Sequence, residues 1–422
     1  MSTPLLNTKP EEIPPAPPKP GILAAVFRAF HYRDFRLMWG GAFTSTTGAF
    51  VQEVAQSWLV YTLTNSAFLL GLTAFLNGAP ILMFSLLGGV AADRVDRRKL
   101  LLGSQYVQMV SALVLALLLW LDVIEIWHIM AAAFVTGVGQ AFGGPAYQAL
   151  IPSLVDEEDL PNAIAMMSIQ FNLARVVGPV AGGLAFTFVG PAACFFINAL
   201  TFLAVIFSLF VIHVRFVPKK TEVRVLHSLK EGLLFVFRHH SILTLVLLST
   251  ITAFFAVPLI TLLPIFARET YGLGAQGYST MVSFSGAGAV AGALFVAWLG
   301  NTPRKGWTAL IMQVLLGVVT FGFAMSTHLW AGCFFVFLAG GAVLALFALL
   351  NALVQLLCPE EMRGRIMSVY HMAFRGAMPI GNLAAGSLAN RFGAPLIVAV
   401  NAVVLMLVAA WYLMKDKQVV KL

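Results

Sequence analysis

One carboxylate in this chain sits where an ionised group is least at home. Among eighteen aspartates and glutamates, Glu53 alone falls well inside a long apolar run, in GAFVQEVAQSWLVY, while the others map to tails, loops or run ends. An acid at the centre of a membrane helix costs about 2.5 to 3.5 kcal/mol on insertion scales, so it is expected to face a cavity or a partner. Two arginines are placed to serve: Arg175 in NLARVVGP and Arg375 in MAFRGAMP. Each lies about 10 to 12 residues into its run, ~15 to 18 Å deep at the helical rise, and Glu53 comes ~24 Å from the same side, within side-chain reach of Arg175. A carboxylate poised between burial and a guanidinium suits taking up and releasing a proton. Glu53, Arg175, Arg375 and His371, one turn before Arg375, are therefore the proton-coupling candidates. A static ion pair, or an acid that binds a cationic substrate without titrating, is the alternative. Gln52 and Gln56 beside Glu53, with Gln140, Asn172 and Tyr370, are candidates for the polar wall of a substrate cavity.

The elements that must position these residues are long and greasy. Apolar residues make up 59% of the chain and charged residues 10%, far from the soluble average of about 25% charged. Twelve runs have spanning length, at roughly 37–62, 68–92, 100–121, 127–152, 163–189, 192–214, 242–267, 277–299, 307–326, 329–356, 366–389 and 394–414. The fold class is all-α and polytopic, since barrel strands are ~10 residues of alternating polarity. Lysines and arginines gather before the first run, between runs two and three, six and seven, eight and nine, ten and eleven, and in the tail, which predicts both termini cytosolic. The net charge of +8 is this same asymmetry rather than a nucleic-acid footprint.

Residues 1–36, opening with a proline-rich stretch, read as a cytosolic tail rather than a cleavable signal peptide. Cys194, Cys333 and Cys358 are too scattered for a disulfide framework or a zinc site. An internal repeat is visible. MSIQFNLARVVGP from Met167 is echoed by MSVYHMAFRGAMP from Met367, and VGPAACFFINAL by FGAPLIVAVNAV, setting Asn198 opposite Asn401. The chain is expected to form two six-helix bundles, 37–214 and 242–414, joined by a cytosolic linker, 215–241, and followed by a tail, 415–422. Substrate is then held near the midplane where the halves meet.

Between the second and third runs stands GGVAADRVDRRK, residues 88 to 99. Gly89 is expected to let two helices approach, and Asp93 to accept hydrogen bonds from the start of the eleventh helix at Arg363, Gly364 and Arg365. Such a latch holds the cytosolic side shut. Arg94, Arg97, Arg98 and Lys99 either complete it or act only as topogenic charges. The matching LGNTPRKG from Leu299 has no carboxylate, so the latch is one-sided.

From Phe35 to Leu413 the chain resembles the major facilitator superfamily, whose signature of glycine, three residues, aspartate, arginine and a basic cluster is met here by Gly89, Asp93, Arg94, Arg97, Arg98 and Lys99. Asp96 stands where many members have glycine. WLVYTLTNSAFLLGL, PAYQALIPSLV, NLARVVGPVAGG and EEMRGRIMSVY are similar to the bacterial branch of macrolide-efflux and enterobactin-exporter-like proteins. The resemblance implies the major facilitator fold, a cavity lined by the first helix, and an antiporter-like motif at Gly178, Pro179, Gly182 and Gly183. Those glycines are expected to form a smooth face for the opposite half. The fourth run lacks the arginine that many exporters of the superfamily carry there. No phosphate-cradling or hydrolase signature occurs, so neither ATP-driven transport nor enzymatic chemistry is expected, and no cofactor or metal.

The sequence thus points to a monomeric multi-pass carrier of the cell (inner) membrane, exporting an amphipathic small molecule by alternating access, with protons as the coupling ion. A metabolite importer or facilitator of the same fold stands as the runner-up, and a non-transporting membrane sensor or scaffold behind it.

Overall fold

The computed structural model describes residues 27–212, 225–300 and 304–422. Most of the proline-rich tail, the first part of the linker and Asn301 to Pro303 of the second-half hinge lie outside the described residues. Six helices come first: α1 (Arg33–Thr64), α2 (Ala67–Arg94), α3 (Arg97–Trp120), α4 (Ile126–Leu150), α5 (Leu160–Val189) and α6 (Pro191–Val211). A short helix in the linker, α7 (Val225–Arg238), leads to α8 (His240–Ala256) and α9 (Pro258–Ile265). Then follow α10 (Ala275–Leu299), α11 (Lys305–Met325), α12 (Leu329–Leu357), α13 (Arg363–Phe392), α14 (Ala394–Lys415) and the terminal α15 (Lys417–Lys421).

Local sequence sets the ends of these helices. Asn65, at a left-handed φ of 49°, stops α1, and the Ser66 hydroxyl accepts from the Leu69 amide to start α2. Asp96 does the same for α3, accepting from the Arg98 amide at 2.9 Å. The repeat is clearest at two turns: Gly190 and Gly393 each adopt a φ of 85°, open only to glycine at low cost, and each is followed by a helix with proline in its first turn. The seventh run departs from a single helix. Pro258 has no N–H to donate, so the helix is interrupted between α8 and α9, and α9 runs into a π-helical turn at Phe266–Thr270.

Ten spans among the described residues are long and apolar enough to cross a membrane, counting α8, α9 and the π turn as one. The two remaining long helices are α1 and α13, of 32 and 30 residues, where polar residues dilute the apolar stretch. They carry Glu53 and the pair His371 and Arg375.

Packing repeats like the sequence. In the first half α1 lies on α5 and α6, α2 on α4, and α3 on α4 and α6; in the second half α8 lies on α13 and α14, α10 on α12, and α11 on α12 and α14. The halves meet along two seams, α2 with α13 and α5 with α10. Lipid tails are as apolar as leucine, so close backbone approach must replace hydrophobic burial as the glue. Glycine supplies it: there is no room for a Cβ at Gly88 against the Ala141 carbonyl or at Gly292 against that of Gly341.

Candidate functional site

Glu53 faces the space between the halves. Thr47, Phe50, Val51 and Val54 of α1 pack on Gly178 and Gly182 of α5, and Gly48 and Gln52 pack on α6 at Asn198 and Thr201. Glu53 projects from the opposite face, exposed to that space though it lies deep along the helix. Arg175, half-buried, projects from α5 between the sides of that helix that meet α1 and α10. Its charge acts on Glu53, yet among the described residues no nitrogen–oxygen contact closes within 4.0 Å. The acid also feels Tyr278 of α10, which is stacked on Trp58 at 6.4 Å between centroids. Glu53 therefore sits where α1, α5 and the second half come together.

The remaining wall residues divide. Gln140 is exposed on the face of α4 opposite an outward apolar groove of about 620 Å³ that α3 and α4 form around Val107, Val110, Trp127 and Val135. It faces the inter-half space, as does half-buried Asn172, whose amide donates to the Ser168 carbonyl at 2.8 Å. Gln56 is half-buried and accepts from Gln52 at 3.4 Å. Gln52 and Tyr370, expected on the cavity wall, are not there. Gln52 is buried in the α1–α6 contact and accepts from Asn198 at 2.6 Å, while Tyr370 is 3% exposed and accepts from Ser249 of α8 at 3.1 Å. An amide or phenol that satisfies a buried partner lowers the cost of packing polar helices, and periodicity alone does not separate that face from a cavity face.

On α13, Arg375 and His371 are both exposed. They lie toward the face that, a turn further on, grips α2: Pro379 fills the space at Gly78 and the Asn382 carbonyl lies against Gly71. Among the described residues Arg375 makes no hydrogen bond or ion pair, and its electrostatic neighbour is His371.

The motif glycines of α5 are split between duties. Gly178 and Gly182 lie on α1 of the same half, and only Gly183 meets the other half, with no room for a Cβ beside Ser279. The expected smooth face toward the second half is therefore largely an internal one. Pro179 is buried inside α5.

At the linker end of the bundle the contacts expected between the halves are not made. A Cβ at Gly89 or at Gly364 would meet nothing within 4 Å, and Asp93, half-buried, has no hydrogen bond or ion pair among the described residues. The close contact expected at Gly89 belongs to its neighbour Gly88. Arg94 and Arg363 are exposed, and Arg365 is engaged elsewhere, in a 2.6 Å ion pair with Glu231 of α7, so the Asp93 latch is unmade in this conformation. Arg97 and Arg98 do structural work instead. Arg97 donates to the carbonyls of Ala149, at 2.7 Å, and Ala92, and Arg98 to that of Phe210, capping the ends of α4, α2 and α6.

At the opposite, distal end the halves are clasped by residues the sequence did not flag. The Tyr61 hydroxyl donates to Glu269, Arg268 donates to the Asn65 side chain at 2.7 Å and lies over the Tyr61 ring at 5.8 Å, and Ser66 donates to Asn390 at 3.1 Å. The π turn after α9 presents Arg268 and Glu269 side by side. Opposite charges adjacent in a loop facing an interfacial tyrosine were the available signal.

The model of one protein family, described as transmembrane secretion effector, matches residues 24–420. The chain is 25% identical over 371 residues to macrolide efflux protein A of Streptococcus pyogenes, covering 85% of this chain and 90% of that protein. It is 23% identical to the staphyloferrin A transporter of Staphylococcus aureus, over 85% and 90% of the two chains, and 26% identical to the enterobactin exporter EntS of Shigella boydii, over 80% of each. Among solved structures, that of the nucleoside transporter NupG superposes with a TM-score of 0.74 at 12% identity, covering 90% of this chain and 99% of that one.

Proposed function

Because the chain belongs to the transmembrane secretion effector family of the major facilitator superfamily, we propose that this multi-pass membrane transporter exports an amphipathic small molecule of drug or siderophore type by alternating access, in exchange for protons. The observation that carries the reading is the placement of Glu53, exposed to the inter-half space, beside Arg175 and at the junction of α1, α5 and α10. An acid there feels both halves, so a change of its charge biases how they sit.

In this reading the linker end and both termini are cytosolic. The conformation described is the one loaded from the cytosol, with the Asp93 latch open and the distal clasp closed. Export requires the reverse arrangement. Glu53 releases a proton toward the cytosol, substrate enters, the latch engages, and the clasp of Tyr61, Asn65, Ser66, Arg268, Glu269 and Asn390 parts. A proton on Glu53 from the far side then permits return. Arg175 holds the ionised acid in place between these steps, which is why the two lie near each other without a fixed bond. The two bundles act within one chain, so a monomer suffices.

The test is substrate flux in proteoliposomes with and without an imposed proton gradient, using substrates found by a panel of macrolides and siderophores. Glu53→Gln keeps the shape but cannot titrate, and is expected to abolish uphill export while downhill exchange persists. Full gradient-driven accumulation by Glu53→Gln would replace antiport with uniport or another coupling ion.

A further inference from the structure

We propose that the transported molecule is an organic anion whose carboxylate, or equivalent acidic group, docks on Arg375 with an aromatic portion against the adjoining wall of the second half. This deepens the export reading above and rests on it. Among the described residues, Glu53, Arg175 and Arg375 bring charge into the inter-half space. Glu53 has its counter-charge in Arg175. Arg375, exposed on the facing wall, has no anionic partner among the described residues, and Glu53 is not among the groups acting on it. An exposed guanidinium with no fixed counter-charge is free to take one from a ligand, and it is the side chain best shaped for bidentate hydrogen bonding to a carboxylate.

The surroundings define the rest of the ligand. His371, exposed one turn away, adds a ring nitrogen beside the guanidinium. Phe374, next along α13, is half-buried against Phe347 of α12 at 4.5 Å between centroids, and stacks with Tyr370 at 6.4 Å. Phe374 and Phe347 are the half-buried rings of this wall, with Tyr370 buried behind them, and a cation bordered by ring surface favours an aromatic anion over a sugar or an aliphatic cation. With a bound monoanion the four charges sum to zero while Glu53 is ionised. That is the protonation state the loaded outward step of an antiporter requires.

The test uses a probe pair differing in one charge, dansylglycine and the neutral dansylglycinamide, titrated by fluorescence into the purified full-length protein. Dansylglycine is expected to bind at least ten-fold more tightly than dansylglycinamide. Arg375→Gln should erase that preference, and Arg375→Lys should retain part of it. Equal affinities in the parent, no dansylglycine binding, or a preference that survives in Arg375→Gln would overturn the proposal. Charge selectivity in binding is read without any gradient, so its failure and a failure of proton-coupled export are separate results.

Discussion

Loosening the distal clasp should shift the conformational balance by an amount the structure sets. Tyr61 is 2% exposed, whereas its partner Glu269 is exposed. Tyr61→Phe removes the bond without leaving a buried orphan, and is expected to cost the closed state about 1 kcal/mol. Glu269→Ala strands the buried phenol and should cost about 2 kcal/mol, since an unsatisfied buried donor adds its desolvation penalty. At 1.4 kcal/mol per factor of ten these become roughly 5-fold and 30-fold rises in the distal-open population. Ala67, 6% exposed with its carbonyl against Gly386 of α13, lies at the distal end of the α2–α13 seam and is hidden while the clasp holds. The native Cys194, Cys333 and Cys358 are all buried, which gives a quiet background for labelling Ala67→Cys with a membrane-impermeant maleimide. Labelling should accelerate in the order parent, Tyr61→Phe, Glu269→Ala. Unchanged rates in both variants, or a larger effect from Tyr61→Phe, would refute the assignment of these contacts as the element that holds the distal side shut.

Asp93→Asn is expected to leave thermal stability within about 0.5 kcal/mol of the parent, because Asp93 has no partner among the described residues in this conformation, but to lower turnover in transport assays. A parallel loss of melting temperature would mean a structural role instead. Arg97→Ala frees the carbonyls of Ala149 and Ala92 and should destabilise the first half by about 1 to 3 kcal/mol, seen as a lower melting midpoint in detergent. An unchanged midpoint would reduce Arg97 to a topogenic charge.

Helix positions were legible because the spanning length is set by the bilayer and the breaks by Gly, Pro and charge. The repeat was legible too, since the glycine turn before α6 and α14 leaves the same trace twice. The break at Pro258 was visible as a residue but not as a consequence, because membrane helices tolerate proline where neighbours satisfy the freed carbonyls. At the site, the facing of Glu53 followed from its cost. Gln52 and Tyr370 misled because a polar side chain buried against another helix and one lining a cavity share the same period. Gly88 and Gly89 differ by one position and hence by about 100° around α2, too fine a distinction for a motif to make. The distal clasp escaped because Tyr61 and Glu269 are separated by 208 residues, so the adjacent charges of Arg268 and Glu269 mark a polar site without naming its partner.

The seams between the halves bear on a requirement any gradient-driven carrier must meet: it must not short-circuit the gradient it uses. Where α10 meets α5, Gly286 lies against the carbonyl of Arg175, and where α13 meets α2, Gly386 lies against the backbone of Gly71 and Ala67. Main chain touches main chain at these points, with no side chain between the helices. Backbone packed that closely leaves no gap at these points for a file of proton-carrying groups. On the proposed proton-exchange reading these glycine contacts serve as electrical insulation, and enlarging one should show itself as a passive proton leak in substrate-free vesicles before it shows itself as a loss of fold.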